Sequence, residues 1–147
     1  NEPTIYVGMS YIIGVFPPQV KNFKRGNKVL KNLIEAHKQV YLLAHKKFGQ
    51  KVMVGSSHNL HCNMAYRRWS LLDQAATIIF NYIRDTRHLR WLKNYQDFIG
   101  FNYYYRDKIK FVFGKGRFPL IDIKNPNASD KDLVKLKLEI KKDDKNW

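Results

Sequence analysis

The chain has 147 residues, 44% hydrophobic and 14% aromatic, with 27 Lys and Arg against 12 Asp and Glu for a formal net charge of +15. That composition suits one packed domain rather than a disordered tail, because domains of roughly 100–150 residues are the commonest size. A single cysteine, Cys62, excludes an internal disulfide framework and fits a reducing, cytoplasmic compartment, no apolar run reaches the roughly 18 residues a bilayer span needs, and no signal peptide is visible.

The chain opens with "NEPTIYVG", which sets the acidic Glu2 between Asn1 and the rigid Pro3. From Val29 to Phe48, Leu30, Leu33, Ile34, His37, Val40, Tyr41, Ala44 and Phe48 recur at helical spacing with lysines between them, and this predicts a helix. Asn27 is its expected N-cap and Gly49 its expected stop. A strand, "KVMVGSS", follows; the continuous apolar run Val52, Met53, Val54 is the pattern of a strand covered on both faces, as in a parallel sheet. The segment "HNLHCNMAYRRWS" then reads as a polar loop. Leu71 to Ile83 reads as a second helix with Leu72, Ala75, Ala76, Ile79 and Ile83 on one face. The basic stretch "RDTRHLRWLKN" leads to a strand, "DFIGFNYYY". Helix, strand, helix, strand is α/β grammar with right-handed crossovers.

In such folds chemistry gathers at the carboxyl ends of the strands. Three places qualify here: Asn1-Glu2, the Ser56-Ser57-His58 region, and Asn102-Tyr103-Tyr104. His37 and His45 lie on or beside the apolar stripe of the long helix and read as packing or surface residues. His58, His61 and Cys62 in "HNLHC" could hold zinc with a fourth ligand, but no second ligand pair stands at suitable spacing, so the segment reads as a loop beyond the strand. "YRRW", "RHLRW" and "YYYRDKIK" imitate a nucleic-acid surface, and arginines and tryptophans on outer helices or loops explain them as well.

The ordered set "NEP", "GVFPP", "NLIEAHKQVYLLAHKKFG", "KVMVGSS" and "DFIGFNYYY" resembles the central part of the family 1 glycoside hydrolases, the β-glucosidase and 6-phospho-β-glucosidase group, over roughly residues 1 to 106. The resemblance implies an α/β fold, a partial (β/α)8 TIM barrel from about the end of strand four through strand six and the following loop. It also implies a retaining mechanism on β-glycoside substrates in which two carboxylates lie about 5–5.5 Å apart. On that resemblance Glu2 matches the general acid/base and Asn1 the asparagine that binds the sugar 2-hydroxyl. Asn102 would order the acid/base neighbourhood, and Tyr104 would donate its phenol to the nucleophile carboxylate. Residues two apart on a strand face the same side, which suits the pair Asn102 and Tyr104. No cofactor and no metal is implied.

The sequence also departs from that family. Its nucleophile motif contains Glu-Asn-Gly, and no such string occurs after Tyr104; the upstream strands carrying the sugar-binding Gln, His and Trp are missing too. A barrel of this type takes about 250 residues. Residues 1–130 therefore read as the central portion of a barrel and 131–147 as a divergent Lys-rich tail. The resemblance holds through "NPNASD" but the chain continues as "KDLVKLKLEIKKDDKNW", as a frame change, a misplaced gene end, a rearranged pseudogene or a genuine new terminus would each produce. Leu136, Leu138 and Ile140 alternate as an edge strand would. The expectations are an enzyme fragment inactive by itself, self-association through exposed barrel edges, no membrane and no specific nucleic acid. The competing reading is a basic, non-enzymatic protein that binds nucleic acid or another polyanion.

Overall fold

A computed structural model describes residues 1–104, 106–113 and 121–124. The Lys-rich tail, with Leu136, Leu138 and Ile140, lies outside the described residues. The chain divides into two units, one made of residues 1–59 and 86–102, the other of 60–85 and 103 onward.

In the first unit, helix α1 (Pro3–Val7) starts on a proline and runs into a π-helical turn over Gly8–Ile13. Helix α2 (Phe23–Phe48) begins before the apolar periodicity does, because its cap is Asn22 and not Asn27: the Asn22 side chain accepts from the Arg25 N–H at 3.0 Å. Gly26, inside that extra turn, is buried where a Cβ would stand 3.0 Å from Tyr11 and 3.2 Å from Val7, so its bare backbone lets α1 and its π-turn approach α2. The far end is as the sequence predicts, with Gly49 at positive φ (60°) and its N–H on the His45 carbonyl.

The single apolar stripe expected on α2 splits in two. Leu30 and Ile34 are buried with Val7 and with Leu92 of α4 (Arg87–Leu92), while Leu33, Val40 and Phe48 are exposed. His37 and His45 work as fasteners on the buried side: His37 Nε2 meets the Tyr95 carbonyl at 2.8 Å, and His45 Nε2 meets Asp97 Oδ2 at 2.8 Å. α4 itself occupies part of the basic stretch that the sequence reads as a connection; its His88 and Leu92 are buried, and Arg87 stacks over Trp91 at 5.0 Å.

Strand β1 (Gly55–Asn59) pairs in parallel with β3 (Phe98–Asn102), in register from Gly55 opposite Phe98 to Asn59 opposite Asn102. The strand is shifted along the chain from its expected place: Val52–Val54 precede it, and His58 and Asn59, expected in a loop, belong to it. Two contacts set the shift. Asp97 accepts from the Val54 N–H at 2.7 Å and donates its own N–H to the Val54 carbonyl at 2.7 Å, which closes the strand entrance. Any Cβ at position 55 would collide with the carbonyl and ring of Phe98, so this register requires glycine there.

The second unit holds β2 (Cys62–Ala65), parallel to β4 (Arg106–Phe111), which is antiparallel to β5 (Ile121–Lys124). The expected loop therefore contains a strand, and the single expected strand "DFIGFNYYY" ends at Asn102, with a separate strand beginning at Arg106. Helix α3 (Leu71–Asn81) is capped by Ser70 and gives way to a π-turn over Tyr82–Thr86, short of the Ile83 end the periodicity predicts. Ala76 and Phe80 of α3 bury against Ile109, with Phe111, Ile121 and Ile123 packed around them. Within "YRRW", Arg67 commits its guanidinium to the fully buried Asp73, with Nε and Nη2 each 2.9 Å from a carboxylate oxygen. Among the described residues no helix is long and apolar enough to cross a membrane.

Candidate active site

Glu2 sits in the left-handed region at φ 45° and ψ 56°, directly before the proline that opens α1. That conformation is uncommon for a residue with a side chain and is disfavoured before proline, so the surroundings must impose it. They do so from two sides. The Glu2 N–H donates to the Ser57 carbonyl of β1 at 2.7 Å, and Glu2 Oε1 accepts from the Asn102 side-chain amide at the end of β3 at 2.5 Å. Glu2 as a residue is half-buried. Anchored through backbone on one strand and side chain on the next, it can exchange a proton with a ligand without first reorienting.

Of the residues singled out in the sequence, the structure thus brings Glu2, Asn102 and the Ser57 backbone together. Asn1 is exposed beside them in the chain. Tyr104 belongs to the second unit and is 61% exposed. Sequence reasoning missed Asn59. It stands opposite Asn102 in the parallel register, is 4% exposed, and its Oδ1 has no hydrogen-bond partner among the described residues. A buried amide oxygen without a donor is costly to leave unmatched. In the structure Ser57 and Asn59 share a face of β1, as Gly100 and Asn102 do of β3, and a Cβ on Gly100 would touch Ser57 Oγ at 3.2 Å; the sequence carried no signal of that register.

"HNLHC" does not gather. His58 is buried in the first unit, whereas His61 and the exposed Cys62 lie in the second. Among the described residues there is no group of three or more His, Cys, Asp or Glu able to hold a metal. His61 instead meets Arg84 (Nε2 to Nη2, 2.8 Å), and Arg84 Nη1 reaches the buried Asp107 at 3.2 Å. Next to this pair Asp85 accepts from the Asn63 amide at 3.1 Å. Burial pushes the Asp85 carboxyl up to about 6, against the pull of the Arg84 charge. A carboxyl whose folded value lies above its unfolded one stabilises fully below about pH 4 and loses that contribution as pH rises through about 6. Asp85→Asn is therefore expected to raise stability at pH 7.5 by about 2 kcal/mol and to leave it unchanged near pH 4, as thermal melts at the two pH values would read.

No protein-family model matches the chain, and no curated protein matches it. Solved structures do. A β-glycosidase from Pyrococcus horikoshii superposes with a TM-score of 0.73 at 23% identity, covering 88% of this chain and 33% of that one. Fpglu1 from Fervidobacterium pennivoraus gives 0.70 at 25% identity over 85% and 27%. A family 1 β-glucosidase from Thermotoga maritima gives 0.71 at 14% identity over 88% and 35%. The chain spans about a third of the length of these structures. The parallel pair β1–β3 with its connecting helices is accordingly part of a (β/α)8 barrel of the kind seen in these β-glycosidases.

Proposed function

We propose that the chain is a segment of a retaining β-glycosidase of family 1 that hydrolyses the O-glycosyl bonds of β-glucosides or related sugars, with Glu2 as its general acid/base. The observation that carries the reading is the double anchoring of Glu2, by Ser57 on one strand and Asn102 on its parallel neighbour. The ordered motifs of the sequence and the barrel fold support it. In this reading Glu2 protonates the departing oxygen and then, as carboxylate, takes a proton from the water that releases the sugar. Asn102 keeps it aimed, Asn1 binds the sugar 2-hydroxyl, and Tyr104 donates to the nucleophile carboxylate.

That second carboxylate must stand about 5–5.5 Å from the first. It would come from a strand outside these residues, so the 147-residue chain by itself is expected to be inactive. Self-association belongs to the same reading and is supported by Phe98, Ile99 and Phe101 standing exposed on β3. The test is a chimaera in which residues 1–113 replace the corresponding segment of the Pyrococcus horikoshii β-glycosidase. Hydrolysis of aryl β-glucosides is expected; a folded chimaera that binds the glycoside and leaves it intact would count against the proposal.

A further inference from the structure

On the side of β1 opposite Ser57 and Asn59, His58 is fully buried against the equally buried His88 of α4, the two rings 4.9 Å apart and tilted by 44°. His58 Nδ1 lies 3.0 Å from His88 Nε2, His58 Nε2 lies 2.7 Å from Ser56 Oγ, and Ser56 Oγ lies 3.3 Å from Gln96 Oε1. The donors order themselves from the last link backwards. Gln96 Oε1 can only accept, so the Ser56 hydroxyl gives it its one proton. Ser56 Oγ must then accept, which requires His58 to carry its hydrogen on Nε2. A neutral imidazole has one N–H, so His58 Nδ1 is a bare acceptor and His88 donates to it from Nε2.

Every link is thereby assigned, and the assignment holds only for neutral His58. A second proton would have to enter at Nδ1, and His88 could accept it only by moving its own hydrogen from Nε2 to Nδ1, so the link from α4 would reverse its direction. The other charged groups acting on His58 offer no relief. Among the described residues, besides His88 from α4, the side chain that acts on it is His37 from α2, positive when charged. Burial first, then this charge, hold the His58 imidazole below its ordinary value.

We propose that the His88–His58–Ser56–Gln96 chain is an acid-sensitive latch that fastens α4 and the approach to β3 onto β1, and thereby holds the Ser57 carbonyl that seats Glu2. The latch stands on these four side chains alone; its consequence for catalysis rests on the reading of Glu2 above. Because the folded value of His58 lies below the unfolded one, its stabilisation is complete above about pH 6.5 and is lost as pH falls toward the folded value.

The experiment is nitrogen-15 imidazole NMR on the full 147-residue chain, with hydrogen exchange of the Gly55–Asn59 amides followed against pH. At pH 7.5 both His58 and His88 are expected as Nε2–H tautomers. Below about pH 6.5, after correction for intrinsic exchange, the β1 amides should open about tenfold more often per pH unit until His58 is protonated. His58→Gln keeps a donor for Ser56 but cannot take up a proton, and should abolish that acid step. An Nδ1–H tautomer at His58, ordinary titration of its ring, or an acid step that survives in His58→Gln would each overturn the latch. If the variant does not fold, the wild-type tautomer and titration decide. In the chimaera, Glu2→Gln tests the catalytic reading separately: an active Glu2→Gln enzyme whose His58 step persists removes the acid/base assignment and leaves the latch standing.

Discussion

Asp73→Ala is expected to lower stability by about 3 kcal/mol, read from the denaturant midpoint. Asp73 is fully buried and accepts four hydrogen bonds: Arg67 Nε and Nη2 at 2.9 Å, the Arg67 N–H at 3.0 Å and the Phe111 N–H at 2.9 Å. One carboxylate thus ties the segment before α3 to strand β4. Truncation strands two backbone donors together with the guanidinium, and that cost exceeds the worth of any one bond. Arg67 is partly solvated, which places the figure at the low end for a broken buried pair. The Arg67 hydrogen bonds, with those of the backbone, hold the Asp73 carboxyl far below the usual carboxylate range, so its contribution is complete above about pH 4 and is lost as pH falls below that. The wild-type chain should therefore lose stability steeply in acid, and Asp73→Ala should flatten that limb. A loss under about 1 kcal/mol, within the range of an ordinary surface substitution, would mean that the segment holds without this carboxylate.

Asp73 also shows what the sequence could and could not reveal about the fold. The helices were legible because apolar periodicity is a local signal, and α2 and α3 were both found, but α3 buries Asp73, Ala76, Thr77 and Phe80 while Leu72, Ala75, Ile79 and Ile83 of the expected face are exposed. Their limits were displaced where the deciding interaction comes from elsewhere in the chain. α2 starts early because Asn22 caps it and Gly26 fits beneath Val7 and Tyr11. β1 starts late because Asp97 occupies the Val54 backbone. The run Val52–Val54 suggested strand because apolar continuity does not distinguish a strand from the segment that leads into one. β4 was missed for the opposite reason, because one of its buried positions is Asp107, a residue type that periodicity counts as solvent-facing, and β2 was missed because none of its four residues is fully buried.

For the candidate site, the ordered resemblance singled out Glu2 and Asn102, and the structure places their side chains in direct contact. Asn59 was not legible, because one asparagine in "HNLHC" gives no sign of its register opposite Asn102. The histidines of the same string suggested a ligand cluster; the pleat sends His58 away from Asn59, and the chain carries His61 and Cys62 into the second unit. Spacing in sequence was a poor guide here because a strand places neighbouring residues on opposite faces.

In the chimaera, Glu2→Gln is expected to lower kcat/KM for an aryl β-glucoside with a poor leaving group by about 100- to 10,000-fold, the usual worth of a positioned acid/base. Glutamine preserves the size of the side chain and an acceptor for the Asn102 amide, so the loss would report the missing proton rather than a collapsed site. The mechanism makes a sharper demand. Glycosyl transfer to the enzyme needs the acid only as far as the leaving oxygen is basic, so a β-glucosyl fluoride should retain much more of its first-step rate than an alkyl or weakly acidic aryl glucoside. Release of the sugar needs the same group as base, whatever the leaving group was, so with the fluoride the second step should become limiting and a burst of product should precede slow turnover. The alkaline limb of kcat/KM reports loss of the acid's proton in the free enzyme, and it should vanish in Glu2→Gln. Equal losses for good and poor leaving groups would indicate that Glu2 binds or positions the sugar, and an unchanged alkaline limb would assign the acid to another residue. Both measurements compare substrates or pH values within one variant, so neither depends on how well the chimaera folds.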